Sequence, residues 1–247
     1  MLDDLADEGD ELAAVLRSVG DWSQPTPAAG WDVRDQVAHL AEGDELALAA
    51  VRDPEAFAAT VAAMLADLEA TTARMAERAR ALTGDAALGW WVDTRAELVE
   101  RLRAHPDGER IPWITGLMSA KSFATARLME TFAHGVDVRD ALGVTVVATE
   151  RLRHVAHLGV ATRAFAFRNR GLDVPAPEPR VELESWRWGP EGSTESVEGP
   201  ALDFCLLVTQ RRHRSHLGLR ASGPGADAWL DIAQCFAGPP TDADPLR

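Results

Sequence analysis

The chain has 247 residues, of which 46% are hydrophobic and 26% charged, a composition typical of a globular protein with a sizeable core. Its formal net charge of −14 argues against nucleic acid or an anionic membrane surface as a partner. The only cysteines are Cys205 and Cys235, which excludes a disulfide framework and a Cys-x-x-Cys metal motif. No leader-like segment or membrane-length apolar run is present, so we expect a cytoplasmic protein.

The first 172 residues are predicted to form a mainly helical domain. Asp32 and Asp35 have the spacing of an N-terminal capping box, and Gly143 is placed to end a helix. Gly84 and Gly89 flank a predicted break in the helices, and residues 105–116 are predicted to form an irregular connection. Apolar residues at helical spacing predict helices over 2–19, 33–52, 54–82, 91–103, 119–141 and 149–169.

After a proline-spaced segment at 175–179, the composition changes and strand-like alternation begins. We therefore predict a domain boundary here, followed by a small α+β domain over 180–238 and a tail over 239–247. The elements expected in this domain are a hairpin pairing 181–188 with 193–197, a helix over 201–210, a strand over 216–221 and a helix over 226–236.

Glu130 and His134 lie four residues apart in a strongly helical stretch, so both side chains emerge on one helical face. Apolar neighbours such as Met129 and Phe132 surround the pair, and ionisable groups in such a setting need a partner. His39, on an apolar stripe of the second predicted helix, is the best candidate for a third ligand. Without a metal, the first two residues would make a surface contact and His39 would be a core histidine.

Two imidazoles and one carboxylate leave a tetrahedral ion with one open position, the pattern of a catalytic zinc site. That position suits water or a thiolate. Zinc is the preferred ion, and nickel and iron(II) are chemically compatible with the same ligands.

Other acidic residues near the candidate ligands were also interpreted from the sequence. Asp137 could accept a hydrogen bond from His134, or pair with Arg139 at the surface. The acidic run containing Glu42, Asp44 and Glu45 is interpreted as a solvated helical face.

A basic cluster near the C-terminus contains Arg211, Arg212 and Arg214. It is either a solvated strand edge or an anion-binding site. Most of the eight tryptophans are expected to serve packing, but Trp90, Trp91 and Trp113 fall in loop-like regions where they could line a pocket mouth.

Two segments of the chain resemble the signature segments of the mycothiol-dependent maleylpyruvate isomerase family, within the DinB-like metalloprotein superfamily. They are TPAAGWDVRDQVAHL at 26–40 and METFAHGVDVRDALG at 129–143. The resemblance implies a DinB-like four-helix bundle with zinc held by His39, Glu130 and His134, which agrees with the choice made from spacing. Over the C-terminal domain the likeness extends only to general α+β character.

The resemblance also implies mycothiol as a low-molecular-weight thiol that the metal activates, and an arginine of the C-terminal domain that handles an anion, for which Arg211, Arg212 and Arg214 are candidates. Mycothiol belongs to actinobacteria. A single lysine, Lys121, against 24 arginines agrees with the GC-rich genomes of that group.

Three functions follow as hypotheses. The first is a zinc-dependent isomerase or S-transferase in which a metal-activated thiol attacks a small electrophilic substrate. The second is a metal-dependent hydrolase using zinc-bound hydroxide. The third is a metal-binding or small-ligand-binding protein without turnover, because one fold hosts many functions.

Overall fold

The computed structural model describes residues 1–114 and 116–244 and divides the chain into two compact units. The first unit is Met1–Val146 and the second Val147–Arg247. The fold is mainly helical, with a small α+β part in the second unit, as the sequence predicts.

The first unit is built from six helices and one hairpin in the described residues. Helices α1, α2, α5 and α6 pack as a four-helix bundle, and their facing apolar residues, with Trp91 among them, form its core. The helices are α1 (Leu2–Leu16), α2 (Val33–Arg52), α3 (Pro54–Ala66), α4 (Leu68–Ala81), α5 (Gly84–Arg103) and α6 (Ala120–Leu142). The antiparallel strands β1 (Arg110–Trp113) and β2 (Gly116–Ser119) lie between α5 and α6.

The ends of α2 and α6 agree with the sequence signals. The Asp32 carboxylate accepts from the Asp35 amide at 2.8 Å, and the Asp35 carboxylate accepts from the Asp32 amide at 3.0 Å. Gly143 ends α6 in the left-handed conformation, with φ of 66°, which a residue without a Cβ adopts at little cost. Both predictions are confirmed.

Three predictions for this unit were wrong in detail. The helix expected over 54–82 is two helices, because the Asp67 side chain accepts from the Ala70 amide and caps a new one. Gly89 lies inside α5, so Trp90 and Trp91 are helical instead of lying in a loop.

In the described part of the chain no single helix is long and apolar enough to cross a membrane. Helix α3 and most of α4 pass that test only together, with a bend of 103° between them.

The second unit combines four helices and a four-stranded sheet in the described residues. The helices are α7 (Leu152–Ala161), α8 (Arg163–Asn169), α9 (Ala201–Val208) and α10 (Pro224–Ile232). The strands are β3 (Arg180–Leu183), β4 (Trp186–Trp188), β5 (Ser196–Gly199) and β6 (Arg220–Ser222), in the spatial order β4-β3-β5-β6.

The expected pairing of strands was wrong. The antiparallel hairpin is formed by β3 and β4, because Glu184, with φ of 53°, turns the chain between them. Strand β5 then runs parallel to β3. Within the expected tail, the Thr241 amide donates to Gln234, and 245–247 lie outside the described residues.

The boundary between the units lies earlier than the sequence predicts. It falls after Val146 and not at 172–180, because α7 and α8 belong with the second unit. Gly159 of α7 lies so close to α9 that a Cβ there would be 2.9 Å from Val208 and 3.0 Å from Phe204. The sequence of α7 and α8 predicts that they are helical, but it does not indicate which of the two units they pack with.

Candidate metal centre

His39 of α2 meets Glu130 and His134 of α6 at one point in the bundle. The Glu130 Oε2 atom lies 3.3 Å from His134 Nε2 and 3.9 Å from His39 Nε2, and one donor atom from each residue lies within 4.8 Å of the others. Tetrahedral zinc with bonds of about 2.0–2.2 Å holds its ligand atoms roughly 3.3–3.6 Å apart. The three donors therefore fit one divalent ion after small movements, and the structure brings together the three predicted ligands.

The charge of Glu130 is set by its neighbours. Burial acts to raise the pKa of this carboxyl, but the nearby imidazoles of His134 and His39 and the positive charge of Arg127 outweigh it. The pKa of Glu130 is consequently held well below its usual range. Glu130 is therefore an anion at any physiological pH.

Gln36 orients the imidazole of His134. Its Oε1 atom lies 2.6 Å from His134 Nδ1, while its Nε2 atom donates to the Thr26 hydroxyl at 2.9 Å. Because the Gln36 amide is fixed in this way, an oxygen faces Nδ1, which must then carry the proton and leave Nε2 with its lone pair. The sequence prediction gave a hydrogen bond with His134 to Asp137, which is fully buried on the same helix, and that role stays a prediction. The contact of Gln36 with Nδ1 was not predicted.

Trp31 covers the two histidines from the loop before α2. Its ring lies 5.2 Å from the His39 ring, edge to face, and stacks at 6.0 Å and 18° on the His134 ring. The loop reaches this position through Gly30, with φ of 81°, and through the Thr26 amide and hydroxyl, which both donate to the Trp31 carbonyl. The indole therefore packs against both imidazole rings.

A buried charged cluster ties α2, α5 and α6 together next to this centre. Asp44 has no solvent exposure and accepts from Arg95 Nε at 2.7 Å, Arg127 Nε at 2.8 Å and Trp91 Nε1 at 3.1 Å. Arg95 also donates to the Thr131 hydroxyl at 2.8 Å. Because Arg127 lies three residues before Glu130, the cluster fixes the part of α6 that carries the ligands.

The interpretation of the acidic run as a solvated face was wrong for two of its three residues. Asp44 is buried in the cluster just described, and Glu42 is half-buried. Glu45 is exposed as expected, and its carboxylate accepts from Arg78 at 2.7 Å. Acidic residues at these spacings face different directions around a helix, so composition alone does not separate them.

A cavity of about 300 Å³ adjoins the centre on the side of His39. Trp31, His39 and Glu42 line one wall, and residues of α4, such as Met75 and Ala76, line the other. Burial raises the pKa of the Glu42 carboxyl, and the charges of His39 and Arg78 only partly offset that rise. The sequence analysis overlooked this cavity, although Glu42 lies one helical turn after His39 on the same face.

The predicted anion-binding arginines lie in the second unit. Arg214 donates to Asp231 at 2.6 Å and to Asp227 at 2.7 Å, so its charge is already balanced by two carboxylates, which argues against an anion-binding role for it. Arg211 donates to the Thr209 carbonyl and Arg212 to the Arg211 carbonyl, both at 2.7 Å. An anion-binding role for Arg211 or Arg212 stays a prediction.

Comparisons with known proteins identify a family over the helical bundle and a similar fold over most of the chain. Residues 2–139 match the family described as the mycothiol maleylpyruvate isomerase N-terminal domain. Two uncharacterized proteins of Mycobacterium tuberculosis, from strains CDC 1551 / Oshkosh and H37Rv, are each 46% identical over 244 residues, covering 96% of this chain and 95% of theirs. The crystal structures of the mycothiol-dependent maleylpyruvate isomerase and of one of its histidine-to-alanine mutants match with a TM-score of 0.61 at 14% identity, covering 91% of this chain and 94% of theirs. At that identity the structural match supports the fold alone.

Proposed function

Because this chain belongs to the mycothiol maleylpyruvate isomerase family, we propose that it is an enzyme that activates a low-molecular-weight thiol, mycothiol, for attack on a small electrophilic substrate. A divalent metal, zinc by preference, would be held by His39, Glu130 and His134. The observation that carries the proposal is the convergence of these three donors on two helices of a bundle.

The residues around the site act on the ligands and not on the substrate. Glu130 supplies a permanent negative charge, and Gln36 presents Nε2 of His134 in the form that binds a metal. A zinc ion bound there would lower the pKa of a coordinated thiol and so supply a thiolate at neutral pH. The Trp31 ring packs against both imidazole rings.

The nucleophilic thiol must come from outside the chain. Cys205 has no solvent exposure and Cys235 has 5%. Burial, together with the nearby Cys235, raises the pKa of the Cys205 thiol well above its usual range. A neutral, enclosed thiol is a poor nucleophile, so a small thiol such as mycothiol is required.

The first test is the metal content of protein purified without added metal. We expect close to one zinc per chain in the wild type, and a loss of at least tenfold in His39→Ala and in His134→Ala. The control is His157→Ala, which removes an exposed histidine of the second unit. Metal that persists in both ligand variants would contradict the assignment of the site.

The second test is the thiol dependence of turnover, with maleylpyruvate as the first electrophile of a panel. We expect conversion only when mycothiol is present, and none in His134→Ala. Conversion at the same rate without any thiol would contradict the thiol mechanism, and products formed by addition of water across a cleaved bond would identify a metal-dependent hydrolase. Recovery of every bound ligand unchanged after prolonged incubation with thiol would identify a binding protein.

A further inference from the structure

An apolar groove lies between α1 and α5 on the surface of the bundle. Ala6 and Gly9 of α1 line one side, and Val92, Ala96 and Val99 of α5 line the other. Because alanine and glycine have little or no side chain, the two helices leave a cavity of about 260 Å³ between them. The residues that line this groove differ from those that line the cavity beside the metal centre.

The two helices run in opposite directions along the groove. The Arg103 guanidinium, at the end of α5, donates to the Asp3 carboxylate, at the start of α1. Further along, Gly9 lies over Arg95, because a Cβ at Gly9 would be 3.4 Å from Nη1 of that arginine. The groove therefore follows the axes of α1 and α5.

The dimensions of the groove suit a third helix. Val92, Ala96 and Val99 follow one another by four and three residues, so they form one stripe along α5. Between Val92 and Arg103 a helix rises roughly 16 Å, which is about three turns. An amphipathic helix of that length can lie in the groove with its apolar residues inside, as in other helix-in-groove complexes.

Carboxylates border the groove on both helices. Asp10 and Glu100 line it, and both are exposed. The exposed Asp7 lies one turn before Asp10, and the exposed Asp93 lies two turns before Glu100, on the same helical faces. None of these four side chains has a hydrogen bond or ion pair with a residue that the structure describes. The groove therefore has a negative rim.

The charge of the rim selects a cationic partner. The two guanidinium groups that line the groove are already paired, Arg95 with Asp44 and Arg103 with Asp3, so they do not balance the free carboxylates. Like charges along one rim repel each other, and a basic partner relieves that repulsion. Lysine and arginine side chains are long enough to reach the rim while apolar neighbours fill the groove.

We propose that the groove between α1 and α5 binds a basic amphipathic helix of another protein. Apolar residues of that helix lie between Ala6 and Ala96, and its lysines or arginines lie against Asp10 and Glu100. Charge complementarity defines the occupant, since a second copy of this chain would bring its own net charge of −14 to a negative rim. The proposal requires neither metal nor thiol, so its outcome is separate from that of the proposed function.

The test measures the dissociation constant of a labelled synthetic peptide with the full chain by fluorescence anisotropy. The probe is a helix of about 14 residues with leucines on one face and lysines on the other. The comparison peptide has the same residues in an order that gives no apolar face. Because both peptides carry the same charge, we expect the groove to bind the amphipathic one about tenfold more tightly.

Variants of the groove separate its charge from its apolar lining. Asp10→Asn combined with Glu100→Gln should raise the Kd of the amphipathic peptide about fivefold, the loss of two exposed ion pairs. Ala96→Gln, at an exposed position, should also raise it about fivefold by placing an amide in the apolar contact. The matched control is Asp173→Asn combined with Glu191→Gln, which removes two exposed carboxylates from the second unit and should change the Kd by less than about twofold.

Circular dichroism establishes that each variant is folded. Equal weakening by the groove pair and by the control pair would overturn the proposal, because binding would then follow the net charge of the chain alone. Equal affinity for the two peptides, or no binding of either, would overturn it as well. A benzophenone on one leucine of the peptide should cross-link to α1 or α5, and attachment to the second unit instead would contradict the assignment.

Discussion

Gln36 decides which nitrogen of His134 faces a ligand. An amide side chain can offer either oxygen or nitrogen, and the Thr26 hydroxyl removes this choice by accepting from Nε2 of Gln36. The oxygen then faces His134 Nδ1 at 2.6 Å. A residue outside the three predicted ligands thus fixes the proton position of one of them.

Replacing Gln36 by leucine should weaken zinc binding by about 10–100-fold, the usual effect of removing the hydrogen-bond partner of a ligating histidine. Gln36→Glu keeps an oxygen acceptor at Nδ1 and should retain affinity within about threefold of wild type. Competition with a fluorescent zinc chelator measures both values. A wild-type affinity in Gln36→Leu, with the fold intact, would show that the contact has no part in metal binding.

Cys205 should make the protein less stable at alkaline pH. Burial raises the pKa of its thiol, so the unfolded thiol begins to ionise near pH ~8.5 while the folded one stays neutral. The stabilising contribution is therefore complete below that pH and is lost as the pH rises toward the folded pKa. The chain has no tyrosine and a single lysine, so few other groups titrate in this range.

The measurement is urea unfolding between pH 7 and 10. The free energy of unfolding should fall across this range in the wild type, and the fall should be shallower in Cys205→Ala. An identical slope in the two proteins would mean that another group controls the alkaline transition.

The sequence predicts the ligands better than the residues around them. Glu130 and His134 are recognisable by their spacing of four, and His39 by its apolar neighbours. Gln36 lies one turn before His39 and was within reach of the same argument. Glu42 and Asp44 were not, because the direction in which each acidic residue of a run faces depends on how α2 packs, and their local sequence does not specify that packing.

At the level of elements, the close approach of α2 and α6 depends on Gly43. A Cβ at this position would lie 2.6 Å from Nη2 of Arg127. The guanidinium cannot withdraw freely, because it is buried and its Nε donates to Asp44. A glycine in the middle of a helix is normally a cost, and here it makes room for the buried cluster.

Replacing each of two helical glycines by alanine should therefore change the free energy of unfolding in opposite directions. Gly43→Ala should lower the free energy of unfolding by about 1–3 kcal/mol through overpacking against Arg127. Gly89→Ala, in α5 with no atom within 4 Å of the added Cβ, should raise it by about 0.5–1 kcal/mol. Urea denaturation of the two variants beside the wild type tests this. Stabilisation by both substitutions would show that Arg127 moves aside without loss.

The ends of helices and strands could be predicted where a local sequence signal sets them, but not where tertiary packing does. The capping box of α2 and Gly143 of α6 are local, and both were predictable. The break between α3 and α4 at Asp67 was not, because alanine-rich residues on both sides have high helix propensity. The parallel pairing of β5 with β3 was equally hidden, since strand direction is set by the sheet and not by the strand.

At the level of the whole molecule, the candidate centre belongs entirely to the first unit. Its three ligands, Gln36, Trp31 and the cavity with Glu42 all lie within Met1–Val146. The family match, over 2–139, covers nearly the same residues. The sequence analysis placed the start of the second unit too late, because the proline-rich segment at 175–179 lies inside that unit and does not precede it.

We expect the chain ended at Val146 to fold and to bind close to one zinc, because a compact unit with its own core folds independently. Circular dichroism and metal analysis of this fragment provide the measurement, and the same fragment carrying His134→Ala is the control. A fragment that is folded but empty, where the full chain is loaded, would show that the second unit contributes to the centre.

Asp44 neutralises only one of the two guanidinium groups that it joins, so the cluster carries one positive charge that Asp44 does not balance. This charge lies about one helical turn from Glu130, and a field in the protein interior is weakly screened by salt. The Glu130 carboxyl therefore has lower electrostatic energy ionised than neutral, and it supplies the balancing charge. The buried cluster thus helps to set the charge of the candidate centre from behind, through a residue that does not belong to it.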